Sequence, residues 1–195
     1  MIDLLDLAAE LVDVPSESHD EGTIADLFER RLKESSQLAV HRVGNSGVAK
    51  SELGREHRIV IAGHLDTVPA NSNAQARIEG DRLYGLGACD MKGGLAAQLA
   101  AALEVDDPAV DVSFVFYPCE EVAAEHNGLK HLFEVRPDLV QGDVALLGEP
   151  PLLLLRRVVR ALCVSRRSTG GNELTQLDLG TAKPRFTVWH RYLKD

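Results

Sequence analysis

The first part of this 195-residue chain alternates between helical and strand-like hydrophobic patterns. Apolar side chains recur at helical spacing in residues 2–12, 18–33, 95–103 and about 129–135. The first of these segments stops before Pro15, and the pair Ser18 and Glu21 predicts a capping box at the start of the second. These four segments are predicted to be helices.

Strand-like segments lie between the predicted helices. They are residues 38–43, 58–62, 110–117 and 143–147, with a hairpin over residues 76–84 that turns at Gly80 and Asp81. Strands that alternate with helices are typical of a layered α/β protein with a largely parallel or mixed sheet. The pattern therefore predicts an α/β fold.

The composition supports a globular chain whose two parts differ in charge. Apolar residues make up 45% of the sequence, which can supply a core for one domain, or for one domain with a tail. Residues 1–150 hold 12 basic and 27 acidic side chains, whereas residues 151–195 hold 9 and 3. An acidic field argues against binding of nucleic acid or anionic membranes, and it favours divalent metals and cationic or zwitterionic small molecules.

The N-terminus and the cysteines predict a cytoplasmic location. Asp3 and Asp6 stand where a secretory signal would carry basic residues, and no apolar run is long enough to cross a bilayer. The three cysteines, Cys89, Cys119 and Cys163, form no C-x-x-C pair and are expected to be free thiols. Cys89 and Cys119 are expected to be small buried residues rather than metal ligands.

Four polar segments follow the ends of predicted strands. They read GHLDTVP at residues 63–69, GLGACDMKGG at residues 85–94, CEE at residues 119–121 and GEP at residues 148–150. Each motif alone is weak: a lone His-x-Asp is more often a surface pair, two adjacent glutamates are usually solvated, and the paired glycines suit a turn better than a nucleotide site. Open α/β sheets, however, place their ligands at such strand ends.

One imidazole and five carboxylates would therefore converge at one edge of the sheet. Clustered carboxylates repel one another and would be driven to protonate unless cations lay between them. A pair of divalent metals with a bridging carboxylate would remove this conflict, and oxygen and imidazole ligands together suit Zn²⁺ or Co²⁺.

In this order and spacing, the four motifs resemble the dinuclear zinc amidohydrolases related to aminoacylase and carboxypeptidase G. Within that family the likeness is most marked to desuccinylases that act on N-succinyl-LL-2,6-diaminopimelate, because CEE is followed by NGL at residues 127–129. The resemblance covers about residues 1–150. It implies a three-layer αβα zinc-peptidase-like catalytic domain, incomplete here because it lacks the lid and dimerisation domain.

The resemblance also implies roles for individual residues. The metal ligands would be His64 and Glu149 on one metal, Glu121 on the other, and Asp90 as the bridge between them. Two catalytic residues are implied: Asp66 would orient the His64 imidazole, and Glu120 would be the general base. A cis peptide bond is implied after Asp90.

The sequence departs from the family after Pro150. Family members continue into a lid domain, and the late histidine of the second metal site comes after it, so the site of Glu121 is expected to be incomplete. Residues 151–195 match nothing expected after GEP, and a reading-frame change would explain the basic composition. We predict a non-native, partly disordered tail; a basic amphipathic helix over residues 152–164 that binds a membrane surface or a partner is the alternative.

The implied reaction is hydrolysis of N-succinyl-LL-2,6-diaminopimelate to succinate and LL-2,6-diaminopimelate, using two Zn²⁺ per complete site, with Co²⁺ also suitable. The substrate would be a small acylated amino acid, and the family is usually homodimeric through the domain that is missing here. An N-acetylornithine deacetylase or another acyl-amino-acid hydrolase is the enzymatic alternative. An inactive metal-binding fragment is the alternative from another class.

Overall fold

The computed structural model describes residues 2–148. Its α-helices are α1 (Leu4–Val12), α2 (Gly22–Leu32), α3 (Gly93–Glu104), α4 (Gly128–Val135) and α5 (Pro137–Val140). Its strands are β1 (Leu38–Val43), β2 (Ser46–Ser51), β3 (Arg58–His64), β4 (Arg77–Glu79), β5 (Arg82–Tyr84), β6 (Asp111–Tyr117) and β7 (Val144–Leu147). A kinked turn over Ala88–Lys92, in which Asp90 and Met91 have non-helical backbone angles, leads directly into α3.

Five strands form one mixed sheet in the order β1-β2-β6-β3-β7, and β4 pairs with β5 in a separate hairpin. The pairs β1-β2 and β2-β6 are antiparallel. Strand β3 runs parallel to both β6 and β7, so the carboxyl ends of these three strands lie at one edge of the sheet. This edge is where the sequence motifs following β3, β6 and β7 begin.

Alternating side chains of the central strands fill two cores, one on each face of the sheet. On one face, Ile61 and Phe114 pack with buried side chains of α1, α2 and α3. On the other face, Val60 and Val115 pack with Leu132 of α4 and with α5. Because successive strand residues point to opposite faces, the apolar runs of β3 and β6 supply both cores. The predicted three-layer αβα architecture is confirmed.

The element pattern was predicted closely except at α5 and β2, neither of which was predicted. Strand β2 is not predicted because its segment, SGVAKS, is short and consists mostly of small residues. Val48 and Ala49 are nevertheless fully buried. A two-residue link, Gly44-Asn45, joins β1 to β2, and such a Gly-Asn pair between strands is a hairpin signal that could have revealed it.

The predicted capping box at Ser18 and Glu21 is wrong. Helix α2 begins at Gly22, and its N-terminus receives no side-chain cap. The Ser18 hydroxyl instead donates to Asp66 Oδ2 at 2.7 Å. A buried carboxylate makes a stronger, charge-assisted bond with this hydroxyl than a helix terminus can offer.

Cys89 and Cys119 are both free thiols, as expected, but the expectation that both are buried holds only at Cys119. Cys119 is buried, but Cys89 is exposed, so the prediction that both are buried is wrong at Cys89. Cys89 lies in the kinked turn before α3 rather than in a strand, so strand alternation does not apply to it. Cys163 lies outside the described residues. Among residues 2–148, no helix combines the length and apolar character needed to cross a bilayer.

Candidate metal centre

The ends of β3 and β6 bring two of the motifs into contact. His64 and Tyr117 are register partners at the ends of these parallel strands, and the Leu65 amide donates to the Tyr117 carbonyl at 2.8 Å. The end of β7 joins the same edge, since the Gly148 amide donates to the Ala62 carbonyl at 2.8 Å. Predicted site residues that are distant in sequence therefore meet because their strands end together.

The structure brings together four of the predicted residues, His64, Asp90, Glu120 and Glu121. The His64 ring is fully buried, and its Nε2 lies 3.1 Å from Asp90 Oδ1. His64, Glu120 and Glu121 each offer one ligand atom, and these three atoms lie within 4.8 Å of one another. Glu149, the remaining predicted ligand, lies outside the described residues.

Asp66 is buried next to this cluster and holds the backbone of Glu120 and Glu121. Its carboxylate accepts the Ser18 hydroxyl at 2.7 Å and the backbone amides of Glu120 and Glu121 at 2.9 and 3.0 Å. Burial by itself would raise the pKa of Asp66, but hydrogen bonds from His64, Glu120, Ser18 and Glu121 outweigh it and lower the pKa to about 2. Asp66 is therefore held as an anion.

The orientation of the His64 ring follows from its other nitrogen. Nδ1 lies 3.0 Å from the Asp66 carbonyl oxygen and 3.4 Å from the carboxylate oxygen Oδ1. Both partners are acceptors, so Nδ1 is assigned as the protonated nitrogen. The Nε2 lone pair then faces the Asp90 carboxylate, and two acceptors at this distance require a proton or a cation between them. The arrangement fits a divalent metal.

The two glutamates support the same conclusion electrostatically. Burial raises the pKa of Glu120, and the nearby charges of Asp66 and Asp90 raise it further, although His64 acts in the opposite direction. Burial also raises the pKa of Glu121, followed by the charge of Asp90. Acidic groups that crowd one another in this way are stabilised as anions by a cation.

The segment that carries Asp90 is fixed by its neighbours. The peptide bond between Asp90 and Met91 is cis, as the resemblance implied. The Met91 sulfur accepts the His64 amide at 3.3 Å. Lys92 is buried, and its Nζ donates to the Val14 carbonyl at 2.7 Å. Burial lowers the pKa of Lys92 to about 8, against the raising effect of the Asp13 charge.

Sequence reasoning missed the supporting contacts of Ser18 and Lys92. The spacing of Ser18 and Glu21 is the same as that of a capping box, so the sequence favours a helix cap there. A lysine between Met91 and two glycines carried no signal of burial. These contacts depend on how the loop between α1 and α2 packs against the strand ends.

Comparison with known proteins finds a matching family and similar relatives. The model of Peptidase family M20/M25/M40 matches residues 60–184. A protein of Mycobacterium tuberculosis, provisionally named succinyl-diaminopimelate desuccinylase DapE, is 44% identical over 149 residues, which cover 76% of this chain and 42% of that protein. The succinyl-diaminopimelate desuccinylase of Corynebacterium glutamicum is 40% identical over 152 residues, which cover 74% of this chain and 40% of the enzyme.

Solved structures share the fold. An M20 family metallo-carboxypeptidase from Sulfolobus solfataricus has a TM-score of 0.63 and 21% identity, over 75% of this chain and 37% of that one. A tripeptidase from Staphylococcus aureus has a TM-score of 0.63 and 25% identity, over 75% of this chain and 42% of that one. This chain therefore spans less than half the length of each of these proteins. Its motifs, its fold and the family match together show that the chain belongs to peptidase family M20/M25/M40.

Proposed function

We propose that this chain carries the metal-binding part of an amidohydrolase that acts on N-succinyl-LL-2,6-diaminopimelate. The observation that carries the proposal is the meeting of His64, Asp90, Glu120 and Glu121 at one edge of the sheet, with the His64 Nε2 lone pair facing a carboxylate. The names of the relatives from Mycobacterium tuberculosis and Corynebacterium glutamicum support the choice of acyl group.

The residues proposed to hold the metals are His64, Asp90, Glu121 and Glu149. One neutral imidazole nitrogen and carboxylate oxygens form a donor set that suits Zn²⁺, and Co²⁺ as an alternative. The exposed Asp90 carboxylate lies against His64 Nε2, which suits a shared ligand at the mouth of the site. A bound divalent cation would lower the pKa of an attacking water and polarise the amide carbonyl.

Glu120 is proposed to carry the proton during hydrolysis. Its carboxylate is partly buried beside the His64 ring, and its oxygen lies in the same cluster as the ligand atoms of His64 and Glu121, within reach of a water held there. A Glu120 oxygen would take the proton of the attacking water and return it to the leaving amine nitrogen. Asp66 fixes the backbone amide of Glu120 and so determines where that oxygen lies.

Two measurements on the full chain test the proposal. Metal content after dialysis should reach two equivalents per chain if both sites are present. Succinate release from the succinylated diamino acid should exceed acetate release from N-acetylornithine. Greater acetate release would favour the deacetylase, whereas no turnover with one metal or none would favour an inactive metal-binding fragment.

A matched pair of histidine variants tests the ligand assignment. His64→Ala should lose the bound metal, because it removes the one imidazole of the proposed site. His41→Ala removes an imidazole from β1, the edge strand farthest from β3 and β7, and should retain the parental metal content. Circular dichroism would verify that both variants keep the parental secondary structure, and parental metal content in folded His64→Ala would contradict the assignment.

A further inference from the structure

Glu21 is a buried acidic side chain that the proposed chemistry does not use. It lies immediately before α2 and is 1% exposed. Its Oε1 accepts the His19 amide at 2.8 Å, and it accepts both the amide and the thiol of Cys119 at 3.2 Å. Asn45 donates to Oε2 at 3.4 Å. These donors are all neutral, so the carboxylate is bonded without a charge partner among them, which makes its burial costly.

Cys119 is the residue that turns the chain from β6 into the two glutamates of the site. Its φ of +60° lies in the left-handed region, which a side chain with a Cβ seldom adopts. The surroundings must therefore hold this conformation. Glu21 holds it by accepting hydrogen bonds from both the backbone amide and the thiol of Cys119.

Three successive backbone amides are consequently held by two buried carboxylates. Glu21 takes the amide of Cys119, and Asp66 takes the amides of Glu120 and Glu121. The two glutamates are attached to the turn that Glu21 fixes, and both offer an oxygen close to His64. A change in the Cys119 turn would move both amides away from Asp66 and both carboxylates away from His64.

We propose that Glu21 is a positioning residue, which acts through Cys119 to hold Glu120 and Glu121 in the arrangement that the metal centre requires. The catalytic significance of these two glutamates rests on the proposed function. The positioning itself concerns the metal-free protein and can be measured without metal or substrate.

Backbone amide exchange by NMR, in the metal-free full chain, tests the proposal directly. In Glu21→Ala the amides of Glu120 and Glu121 should exchange roughly tenfold faster or more, relative to the Val115 amide in β6, although neither amide is bonded to Glu21. The control is Glu17→Ala, an exposed glutamate in the same loop, which should leave both rates unchanged. Faster exchange at Cys119 alone, or at none of the three amides, would overturn the proposal.

Glu21→Gln decides the question if Glu21→Ala does not fold, because glutamine keeps the size of the side chain and one acceptor oxygen. It should accelerate exchange at the same amides to a smaller extent, and parental rates would overturn the proposal.

Titration with Co²⁺ adds a second readout. Glu21→Ala should bind Co²⁺ about 10–100-fold more weakly than the parent, with an altered visible spectrum. Parental affinity and spectrum would count against positioning. If the parent bound no Co²⁺, the proposed function would fail, while the exchange rates would still decide the role of Glu21.

Discussion

Asp66 shows how an acidic side chain stays ionised in a buried position. Its carboxylate has no exposed surface, yet its hydrogen bonds lower its pKa from 3.8 to about 2. The same bonds attach the α1-α2 loop, the end of β3 and the segment after β6 to one side chain. The charge state of Asp66 therefore affects both the stability and the shape of the site.

The stability contributed by Asp66 should disappear at acidic pH. Because its folded-state pKa is depressed, the stabilisation is complete above about pH 4 and is lost as the pH falls toward 2, and the shift corresponds to about 2 kcal/mol. Urea denaturation of the metal-free protein should therefore show the difference between parent and Asp66→Asn shrinking from pH 6 to pH 3. Asp81→Asn, in the exposed hairpin turn, is the control, and a constant difference for Asp66→Asn would contradict the prediction.

Glu120 should be required for turnover but not for metal binding. Glu120→Gln removes the proton acceptor while keeping the size of the side chain, so turnover should fall by about 100-fold or more, with metal content unchanged. Turnover assays and elemental analysis would measure the two effects. Glu125→Gln changes a nearby exposed glutamate and should have little effect on either. Loss of metal in Glu120→Gln would instead identify Glu120 as a ligand.

At the scale of elements, α3 packs tightly beneath the end of β3. A Cβ at Gly63 would lie 2.3 Å from Met91 Cε and 2.8 Å from Gln98 Nε2. Real Cβ contacts are not this short, so the missing side chain at Gly63 allows α3 and the Asp90 segment to approach His64. The sequence shows a glycine at this position, but only the packing explains it.

Gly63→Ala should destabilise the fold by about 1–3 kcal/mol, because Met91 and Gln98 would have to shift in a filled core. Gly47→Ala provides a matched control in β2, where a new Cβ would have no neighbour within 4 Å. Urea denaturation of both variants would measure the free energies of unfolding. Equal free energies of unfolding for Gly63→Ala and Gly47→Ala would contradict the prediction. They would show that the side chains around position 63 can rearrange at little cost.

For the whole molecule, the main question is whether residues 151–195 belong to the fold. The family model matches residues 60–184, and the structure describes residues 2–148, so the division at Pro150 stays a prediction. The change in charge at this point, from an excess of acidic to an excess of basic side chains, is a property of the sequence alone.

Removal of residues 151–195 should leave the melting temperature within about 2 °C of the parent, which for a domain of this size is under roughly 1 kcal/mol. The reason lies in the sequence, since the family motifs end at GEP and the side chains change from an acidic to a basic excess after Pro150. Differential scanning calorimetry of the full and shortened chains would measure the change. A drop of many degrees would show that the tail packs against the sheet.

The sequence by itself predicted the α/β class, the order of the elements other than β2 and α5, and the meeting of His64, Asp90, Glu120 and Glu121 at the sheet edge, because hydrophobic periodicity and strand-end motifs are local properties. Strand β2 was not predicted, because its short segment of mostly small residues is buried only through its place between β1 and β6. Tertiary structure alone decided that Ser18 binds Asp66, that Glu21 binds Cys119 and that Lys92 binds Val14. These hydrogen bonds join residues far apart in the chain, and which partner each group meets depends on packing, which no local pattern encodes.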